Sequence, residues 1–194
     1  MLKAARRLFA EKGYHQTRTR EIADEAGVGE SVVFRNFGSK AELFEMTILG
    51  PFSEFVDEWA KRWDAAATSQ SDPFDVTRSF VTGFYDLARD NRELLLTLIA
   101  ARTVDSALAE VADRVSAKLA DNLRVVQKVL LEHGAARHMR QLDAPVTVAV
   151  SVGSVLSLVL LDDWIFPHHQ RRPGRARQID EATRMLIGGV MGEL

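Results

Sequence analysis

The sequence predicts an all-α protein of about nine helices, with a small N-terminal domain of three helices (residues 1–45) and a larger helical domain (residues 46–194). Three observations predict this fold class. Apolar residues recur three and four positions apart along most of the chain, as they do on one face of a helix. Two short segments of this kind meet at a glycine near residue 27. Polar or proline-containing breaks separate the longer segments, which is typical of helix ends.

The first helix is predicted over the opening twelve residues. Its apolar face consists of Leu2, Ala5, Leu8 and Phe9. We expect no secretory signal peptide here, because the segment lacks a continuous apolar region before a cleavage site. Gly13 is expected to end the helix, since glycine readily adopts the conformation that closes a helix C-terminus.

The stretch from Gly13 to Phe44 contains two short amphipathic helices joined by a tight turn. The first reads TREIADEA and is followed directly by Gly27, and the second is expected over residues 30–36. Two helices joined by a short glycine-containing turn form a helix-turn-helix, whose second helix can enter the major groove of DNA. The local pattern also fits an αα-hairpin that serves only as part of a core.

Residues at fixed spacings distinguish this stretch from a generic hairpin: Gly13-Tyr14, Thr17, Glu21-Ile22-Ala23, Ala26-Gly27-Val28, Phe34-Arg35-x-Phe37 and Ser39-Lys40-x-Glu42-Leu43-Phe44. Together they resemble the N-terminal domain of the tetracycline-repressor (TetR) family of bacterial transcription regulators. The resemblance covers roughly the first fifty residues. It implies a homodimer that binds a double-stranded DNA operator and responds to a small molecule held in a variable helical C-terminal domain.

The residues expected to face DNA are Arg18, Thr19, Arg20, Glu30, Ser31, Val32, Phe34, Arg35, Asn36 and Lys40. Arg20 can reach a phosphate or a guanine edge, Val32 can pack on a thymine methyl, and Glu30 can accept from a cytosine amino group. The family commonly has tyrosine where Phe34 stands, so this position lacks a hydroxyl for a phosphate. Two caps are also expected, with Thr17 starting the second helix and Ser39 starting the fourth.

Charge is distributed unevenly, although the net charge is only −2. Residues 1–40 contain eight basic and five acidic side chains, whereas the rest of the chain has an acidic excess. Cations are therefore concentrated in the segment that would meet phosphates, which favours the DNA-binding interpretation.

Six further helices are predicted after residue 39. Their expected ranges are 40–67, 74–90, a shorter helix that ends near residue 102, 105–133, 145–161 and 179–192. Gly50-Pro51 should interrupt or kink the first of them, because proline removes one helical N–H and clashes with the preceding turn. Asp72-Pro73 is a strong start signal for the second.

Residues 146–161 contain no charged side chain, and the alternation of valines at 146, 148, 150 and 152 resembles a β-strand. Sixteen residues is long for a strand, and a helix-start signal (Asp143-Ala144-Pro145) precedes the run. We therefore predict a helix, covered on one side by its own domain and on the other by a second subunit. The run is too short and too rich in Ser and Gly to indicate a membrane span.

A ligand site is predicted where aromatic residues are concentrated, at Phe55, Trp59, Trp63, Phe80, Phe84 and Tyr85. Aromatic walls with few charges favour a small apolar or aromatic effector, which the Tyr85 hydroxyl could orient. The alternative is that these residues only pack the core.

A homodimer interface is predicted on the last two helices, through Val152, Val155, Leu158, Ile179, Leu186 and Val190. These helices would form a four-helix bundle with their symmetry mates, because the uncharged run is too apolar to face water.

Catalytic motifs are missing from the sequence. It contains no cysteine, no Gly-rich phosphate loop and no GxSxG, and its five histidines (His15, His133, His138, His168 and His169) lack metal-ligand spacing. We expect no enzymatic activity and no cofactor. The absence of cysteine also suits a cytoplasmic protein.

The leading prediction is a transcriptional repressor that a small, mostly apolar ligand releases from a palindromic operator. One alternative is a helix-turn-helix regulator whose C-terminal domain only dimerises or binds a protein partner. Another is a helical enzyme or ligand carrier whose first fifty residues serve assembly.

Overall fold

The computed structural model describes residues 1–67, 72–104, 106–134, 140–167 and 171–191. Within these ranges the fold is all-α, as predicted, and contains ten helices. They are α1 (Leu2–Gln16), α2 (Thr19–Glu25), α3 (Glu30–Phe37), α4 (Lys40–Ala67), α5 (Pro73–Asp90), α6 (Arg92–Val104), α7 (Ser106–Gly134), α8 (Ala144–Leu160), α9 (Asp162–Ile165) and α10 (Arg175–Val190). His138, His168 and His169 lie outside the described residues.

Nine helices correspond to the predicted ones, and the four-residue helix α9 is additional. A single turn is too short to show apolar periodicity, so the sequence pattern missed it. A tertiary contact accompanies it, because the Arg172 guanidinium donates to the carboxylates of Asp162 and Asp163.

The chain divides into two compact units. The first consists of Met1–Ser53 with Asn91–Ala120, and the second of Glu54–Asp90 with Asp121–Leu194. Helices α4 and α7 each contribute residues to both units, so the units do not follow chain order. The predicted DNA-binding domain of residues 1–45 therefore does not coincide with either compact unit, and its boundary stays a prediction.

The core of the first unit is aromatic and aliphatic. Phe9 of α1 packs edge-on against Phe44 of α4, with ring centroids 5.0 Å apart. Ile22 of α2 and Val33 of α3 are also fully buried. Burying a side chain of this size contributes about 1.5–3 kcal/mol each, so this contact region is the main support of the first three helices.

Glycines end the helices of the first unit where the chain needs a positive φ. Gly27 has φ 68°, which confirms the turn between α2 and α3. Gly38 has φ 72°, and a Cβ there would lie 2.3 Å from the Glu42 carboxylate. Gly13 has φ 78° and ψ 167°, so it interrupts the first helix where its end was predicted, and a short further helical turn then continues to Gln16.

The two predicted caps have different outcomes. Ser39 caps α4 as expected, since its Oγ accepts from the Glu42 N–H at 3.1 Å and donates to the Glu42 carboxylate. Thr17 is not the cap of α2. Its hydroxyl is buried and donates to the carbonyls of Leu8 and Gly13, while the Glu21 carboxylate accepts from the Arg18 N–H at 3.1 Å.

Helix α4 continues through Pro51, so the predicted interruption at Gly50-Pro51 does not occur. Proline removes a single helical hydrogen bond. Residues on either side of it, Leu49 and Val56, are 4% and 1% exposed. Burial of the flanking turns offsets the loss of that one bond.

Helices α5, α8 and α10 form the centre of the second unit. Helix α8 confirms the helical interpretation of the uncharged run, and the Asp143 side chain accepts from the Val146 N–H at its start. Helix α10 begins at Arg175, four residues earlier than predicted. Its first turn is held by α5, because Arg175 pairs with Asp86.

A buried carboxylate links α4 to α7 in the first unit. Glu45 is only 3% exposed, and both Arg114 and Lys118 donate to it. Burial raises the pKa of Glu45, but the hydrogen bonds from Lys118 and Arg114 outweigh burial, so its pKa lies below the ordinary value. The carboxylate is therefore stabilised in its charged form by the folded chain.

Replacing Glu45 with Gln should lower the free energy of unfolding by about 1–3 kcal/mol at about pH 7, because the hydrogen bonds lose their charge. A folded-state pKa below the unfolded value stabilises the protein above the unfolded pKa, and this contribution is lost as pH falls through the folded pKa. The difference between wild type and Glu45→Gln should thus shrink below about pH 4. Urea unfolding across that pH range measures it.

The matched control is Glu58→Gln, which removes a carboxylate from an exposed pair with Arg62. Such pairs contribute about 0–1 kcal/mol. A loss in Glu58→Gln equal to that in Glu45→Gln would contradict a specific role for burial.

Candidate nucleic-acid interface and ligand cleft

Helix α3 is held to the first unit by one side only. Val33 is 1% exposed, whereas Ser31, Phe34, Arg35 and Asn36 are exposed to solvent. Phe34 is 44% exposed, which is unusual for a phenylalanine that serves the core. The exposed side of α3 is therefore available to a partner.

Two sets of cations on the first three helices differ in their partners. Arg7 pairs with Glu11 and Glu25, and Lys12 pairs with Glu21. The pKa of Glu25 is lowered by its hydrogen bond from Arg7, and that of Glu21 by the Arg18 N–H and by Lys12. These two cations are already neutralised by the fold.

Arg18, Arg20 and Arg35 form the second group. All three side chains are exposed, and none makes an ion pair with a carboxylate in the described part of the chain. Arg18 and Arg20 border the start of α2, and Arg35 lies on α3. Exposed cations without carboxylate partners can neutralise phosphates without first breaking an internal contact.

The starts of α2 and α3 are joined by one hydrogen bond. The Thr19 hydroxyl donates to the Glu30 carboxylate at 2.6 Å, and both residues are half-buried. The bond orients the Glu30 carboxylate at the N-terminus of α3, where the helix dipole favours a negative charge. Direct contact of either residue with a base stays a prediction.

Two other residues of the predicted DNA face make internal contacts. The Asn36 side-chain amide donates to the Val32 carbonyl at 2.7 Å. The Lys40 ammonium lies 4.4 Å from the centre of the Tyr14 ring and 3.4 Å from the His15 carbonyl. Burial lowers the pKa of Lys40. Either side chain would exchange these contacts for those with a nucleic acid.

A small apolar cleft of about 60 Å³ lies within the second unit. Residues of α4, α5, α7, α8 and α10 line it: Trp59, Trp63, Thr77, Phe80, Val126, Leu130, Thr147, Val148, Ser151, Val152, Leu186 and Val190. Trp59, Trp63 and Phe80 were predicted for the ligand site. The sequence shows Val126 and Leu130 as part of an apolar stripe on α7. It gives no sign that these two residues line this cleft.

Three predicted ligand residues do not line the cleft. Phe55 packs against Phe80 and Phe84, with ring centroids 5.5 and 6.0 Å apart, and covers Gly83. Tyr85 is buried against α10, where its hydroxyl donates to the Gln178 side chain at 3.1 Å. Burial raises the pKa of Tyr85. Its hydroxyl is therefore committed to a structural contact and does not orient a ligand in the cleft.

The residues predicted for the dimer interface differ in their exposure on the single chain. Val155 and Ile179 are 0% and 1% exposed in the single chain, so they belong to its core and cannot contact a second subunit. The others, Val152, Leu158, Leu186 and Val190, are half-buried. The most exposed apolar residues of α8 and α10 are Val146, Val150 and Met185, at 56%, 60% and 71%.

Neither a metal site nor a membrane span is found in the described ranges. No group of three or more His, Asp or Glu side chains there could hold a metal ion. None of the described helices combines the length and the apolar character that crossing a bilayer requires.

Comparison with known proteins identifies relatives of part of the chain. Residues 1–47 match the family described as "Bacterial regulatory proteins, tetR family". The HTH-type transcriptional activator FasR of Mycolicibacterium smegmatis is 34% identical over 86 residues, which are 44% of this chain and 37% of FasR. The matched segment thus spans little more than a third of that curated relative.

Two solved structures extend the similarity of the fold to nearly the whole chain. The fatty acid degradation regulator FadR from Bacillus halodurans has a TM-score of 0.71 at 19% identity, covering 97% of this chain and 96% of FadR. The transcriptional regulator FadR from Bacillus subtilis, in complex with stearoyl-CoA, has a TM-score of 0.65 at 17% identity, covering 97% and 96%. At these identities the likeness concerns the fold alone.

Proposed function

We propose that the chain, whose residues 1–47 match the family of bacterial regulatory proteins described as tetR, is a repressor that binds a near-palindromic operator as a homodimer. A small, mostly apolar ligand in the cleft of the second unit releases it from DNA. Its site of action is then the cytoplasm, where the operator is.

One observation carries the DNA-binding part of the proposal. Arg18, Arg20 and Arg35 are exposed and have no carboxylate partner within the described ranges, next to the open side of α3. The paired cations Arg7 and Lys12 show that nearby carboxylates neutralise basic side chains where the fold requires it. Cations without such partners beside a helix-turn-helix are what phosphate binding needs.

Dimerisation is supported by the apolar surface of α8 and α10. Val150 and Met185 are mostly exposed on a single chain, and a groove of about 420 Å³ between the two helices is lined mainly by apolar residues. Two-fold pairing reuses the same surface on both chains. It would set two recognition helices about 34–36 Å apart, which is one turn of DNA.

The cleft supports control by a ligand, and its volume limits the size of that ligand. An apolar cavity of about 150 Å³ accommodates benzene, whereas this cleft offers about 60 Å³. A long acyl chain, such as the one bound to FadR of B. subtilis, would therefore require large movements of the lining residues. We propose a compact ligand, which acts by binding the DNA-free conformation better than the DNA-bound one.

The small cleft also favours a second candidate function. If no ligand enters, the second unit serves only to dimerise or to bind a protein partner. The two candidates differ in one measurement, the release of a bound operator by small molecules. The sign of regulation is measured separately with a reporter gene, because the relative FasR is named an activator.

Operator binding should depend on the cations without partners. Arg20→Ala should weaken binding to all sequences and reduce the slope of log K against log salt by about one, because one phosphate contact is lost. Changing Val32 should instead alter base preference. Fluorescence anisotropy with DNA selected from a random pool, at several salt concentrations, measures both effects.

The matched control is Arg7→Ala, which removes the same charge from the same unit but from a side chain paired with Glu25. It should leave the salt slope unchanged. An unchanged slope in Arg20→Ala, or an equal change in both variants, would mean that the proposed DNA face is wrong.

Dimerisation should fail when charge is placed on the exposed apolar surface. Val150→Glu combined with Met185→Glu should yield monomers that have lost operator affinity, because both side chains are exposed on one chain and the charges would be buried in the dimer. Sedimentation should give the chain mass of 21.6 kDa for this variant and twice that for wild type.

Ile99→Glu is the control, since Ile99 is 60% exposed in the first unit, and it should remain dimeric. A wild-type protein that sediments as a monomer at micromolar concentration would disprove the interface.

A further inference from the structure

Trp164 on helix α9 lies almost wholly in solvent. It is 87% exposed, the highest value among the large apolar side chains of the described residues, whereas Trp59 and Trp63 are 6% and 3% exposed. Tryptophan is highly buried on average, since its ring system offers about 150–250 Å² of surface for burial. Leu161 and Ile165 nearby are 45% and 44% exposed. Trp164 therefore belongs to an apolar surface patch just beyond the end of α8.

The fold fixes the position of this patch. The Arg172 guanidinium donates to the carboxylates of Asp162 and Asp163 on α9 and to the carbonyl of Phe166 directly after it. The Phe166 side chain lines the groove between α8 and α10. A side chain on a backbone that is already held in place loses less freedom on binding. Trp164 is thus a preorganised apolar group beside the groove.

The groove has room for an indole ring. Its volume is about 420 Å³, and its apolar walls include Val150, Leu158 and Met185. A cavity of about 150 Å³ accommodates benzene, and an indole is larger than benzene by one fused five-membered ring. Val150 and Met185 are mostly exposed on the single chain, so the groove is continuous with the surface proposed for dimerisation.

Charge also matches the groove to the patch. Arg177 at the groove is exposed and has no carboxylate partner among the residues that the structure describes. Glu181, which also lines the groove, is already paired with Arg184. Helix α9 has two carboxylates against the single guanidinium of Arg172. The segment that carries Trp164 therefore has an acidic excess of one, and the groove has an unpaired cation.

Symmetry brings the two features together only in a pair of chains. Trp164 does not fill the groove of its own chain, because it is 87% exposed there. A two-fold axis perpendicular to α8 reverses the direction of this helix, so the end of α8 in one chain meets the middle of α8 in the other. Val150 and Ser154 lie near the middle of α8, and both line the groove.

We infer that Trp164 of each chain inserts into the groove between α8 and α10 of a second copy and is the main anchor of the homodimer. This inference rests on the proposed dimer and names the residue that holds it together. Two-fold pairing forms the contact twice, because both chains use the same surface. Tryptophan is among the residue types that dominate the binding energy of interfaces.

Fluorescence tests the burial of Trp164 directly, because the other two tryptophans are already buried in the single chain. Subtracting the signal of Trp164→Phe isolates the emission of Trp164. In the wild-type dimer this emission should lie at shorter wavelength and resist quenching by acrylamide. In the monomeric variant Val150→Glu with Met185→Glu, corrected with Trp164→Phe in the same background, it should behave as a solvent-exposed indole.

Sedimentation tests the contribution of Trp164 to affinity. Each dimer of Trp164→Ala loses two anchors, so its dissociation constant should rise by at least about thirtyfold. Leu131→Ala is the matched control, since Leu131 is an exposed apolar residue of α7 in the same unit, and it should leave the dissociation constant unchanged. Circular dichroism should show an intact fold in both variants, because both side chains are exposed.

A groove-filling variant tests where the indole binds. Ser154 is half-buried in the groove wall, so the ring of Ser154→Phe should occupy the space that the indole of a second copy needs. This variant should weaken the dimer. Adding Trp164→Ala to it should weaken the dimer no further, because two changes that act on one contact are not additive.

The outcomes separate this inference from the proposed function. A wild-type dimer in which acrylamide quenches Trp164 as readily as in the monomeric variant would overturn the anchor and leave the proposed dimer intact. Unchanged affinity in Trp164→Ala would do the same. If Trp164 is protected but Ser154→Phe and Trp164→Ala weaken the dimer additively, the assignment to the groove is wrong. A wild-type monomer would overturn the proposed dimer itself.

Discussion

The edge-on packing of Phe9 against Phe44 is the contact on which the first unit depends. It joins the first helix to the fourth, and Tyr14 extends the cluster, with its ring 5.1 Å from that of Phe44. The outer face of the Tyr14 ring in turn carries the Lys40 ammonium. The same aromatic cluster therefore packs the core and positions the Lys40 ammonium at the surface. The position of this part of the proposed DNA face thus depends on core packing.

Ion pairs and hydrogen bonds have different consequences in the two units. In the first, most carboxylates near α1 and α2 are paired with Arg7 and Lys12, which leaves the arginines beside α3 available to a partner. In the second, ion pairs such as Arg175–Asp86 and the Tyr85–Gln178 hydrogen bond fasten α5 to α10, whereas the cleft beside them is apolar.

Much of the fold could be predicted from the sequence, whereas the candidate sites could be predicted only in part. The helix-turn-helix followed from Gly27 and from apolar spacing, and the Ser39 cap from the preference for serine directly before the start of a helix. The positions expected to face DNA followed from a family resemblance, and the exposure of Ser31, Phe34 and Arg35 is a consequence of burying Val33 on the opposite side of α3. The ligand site was located only roughly, because aromatic residues on α4 and α5 form both the cleft wall and the packing behind it.

The sequence by itself determined nine of the ten described helices, most of their starts and the glycine turns, because these depend on interactions between residues up to about four positions apart. Only the tertiary structure decided which side chains already bind another side chain or are buried in the core. Arg7 meets Glu25 and Tyr85 meets Gln178 across 18 and 93 positions, and Val155 and Ile179 proved to be core rather than surface. Such contacts depend on where distant helices meet, which no local spacing specifies.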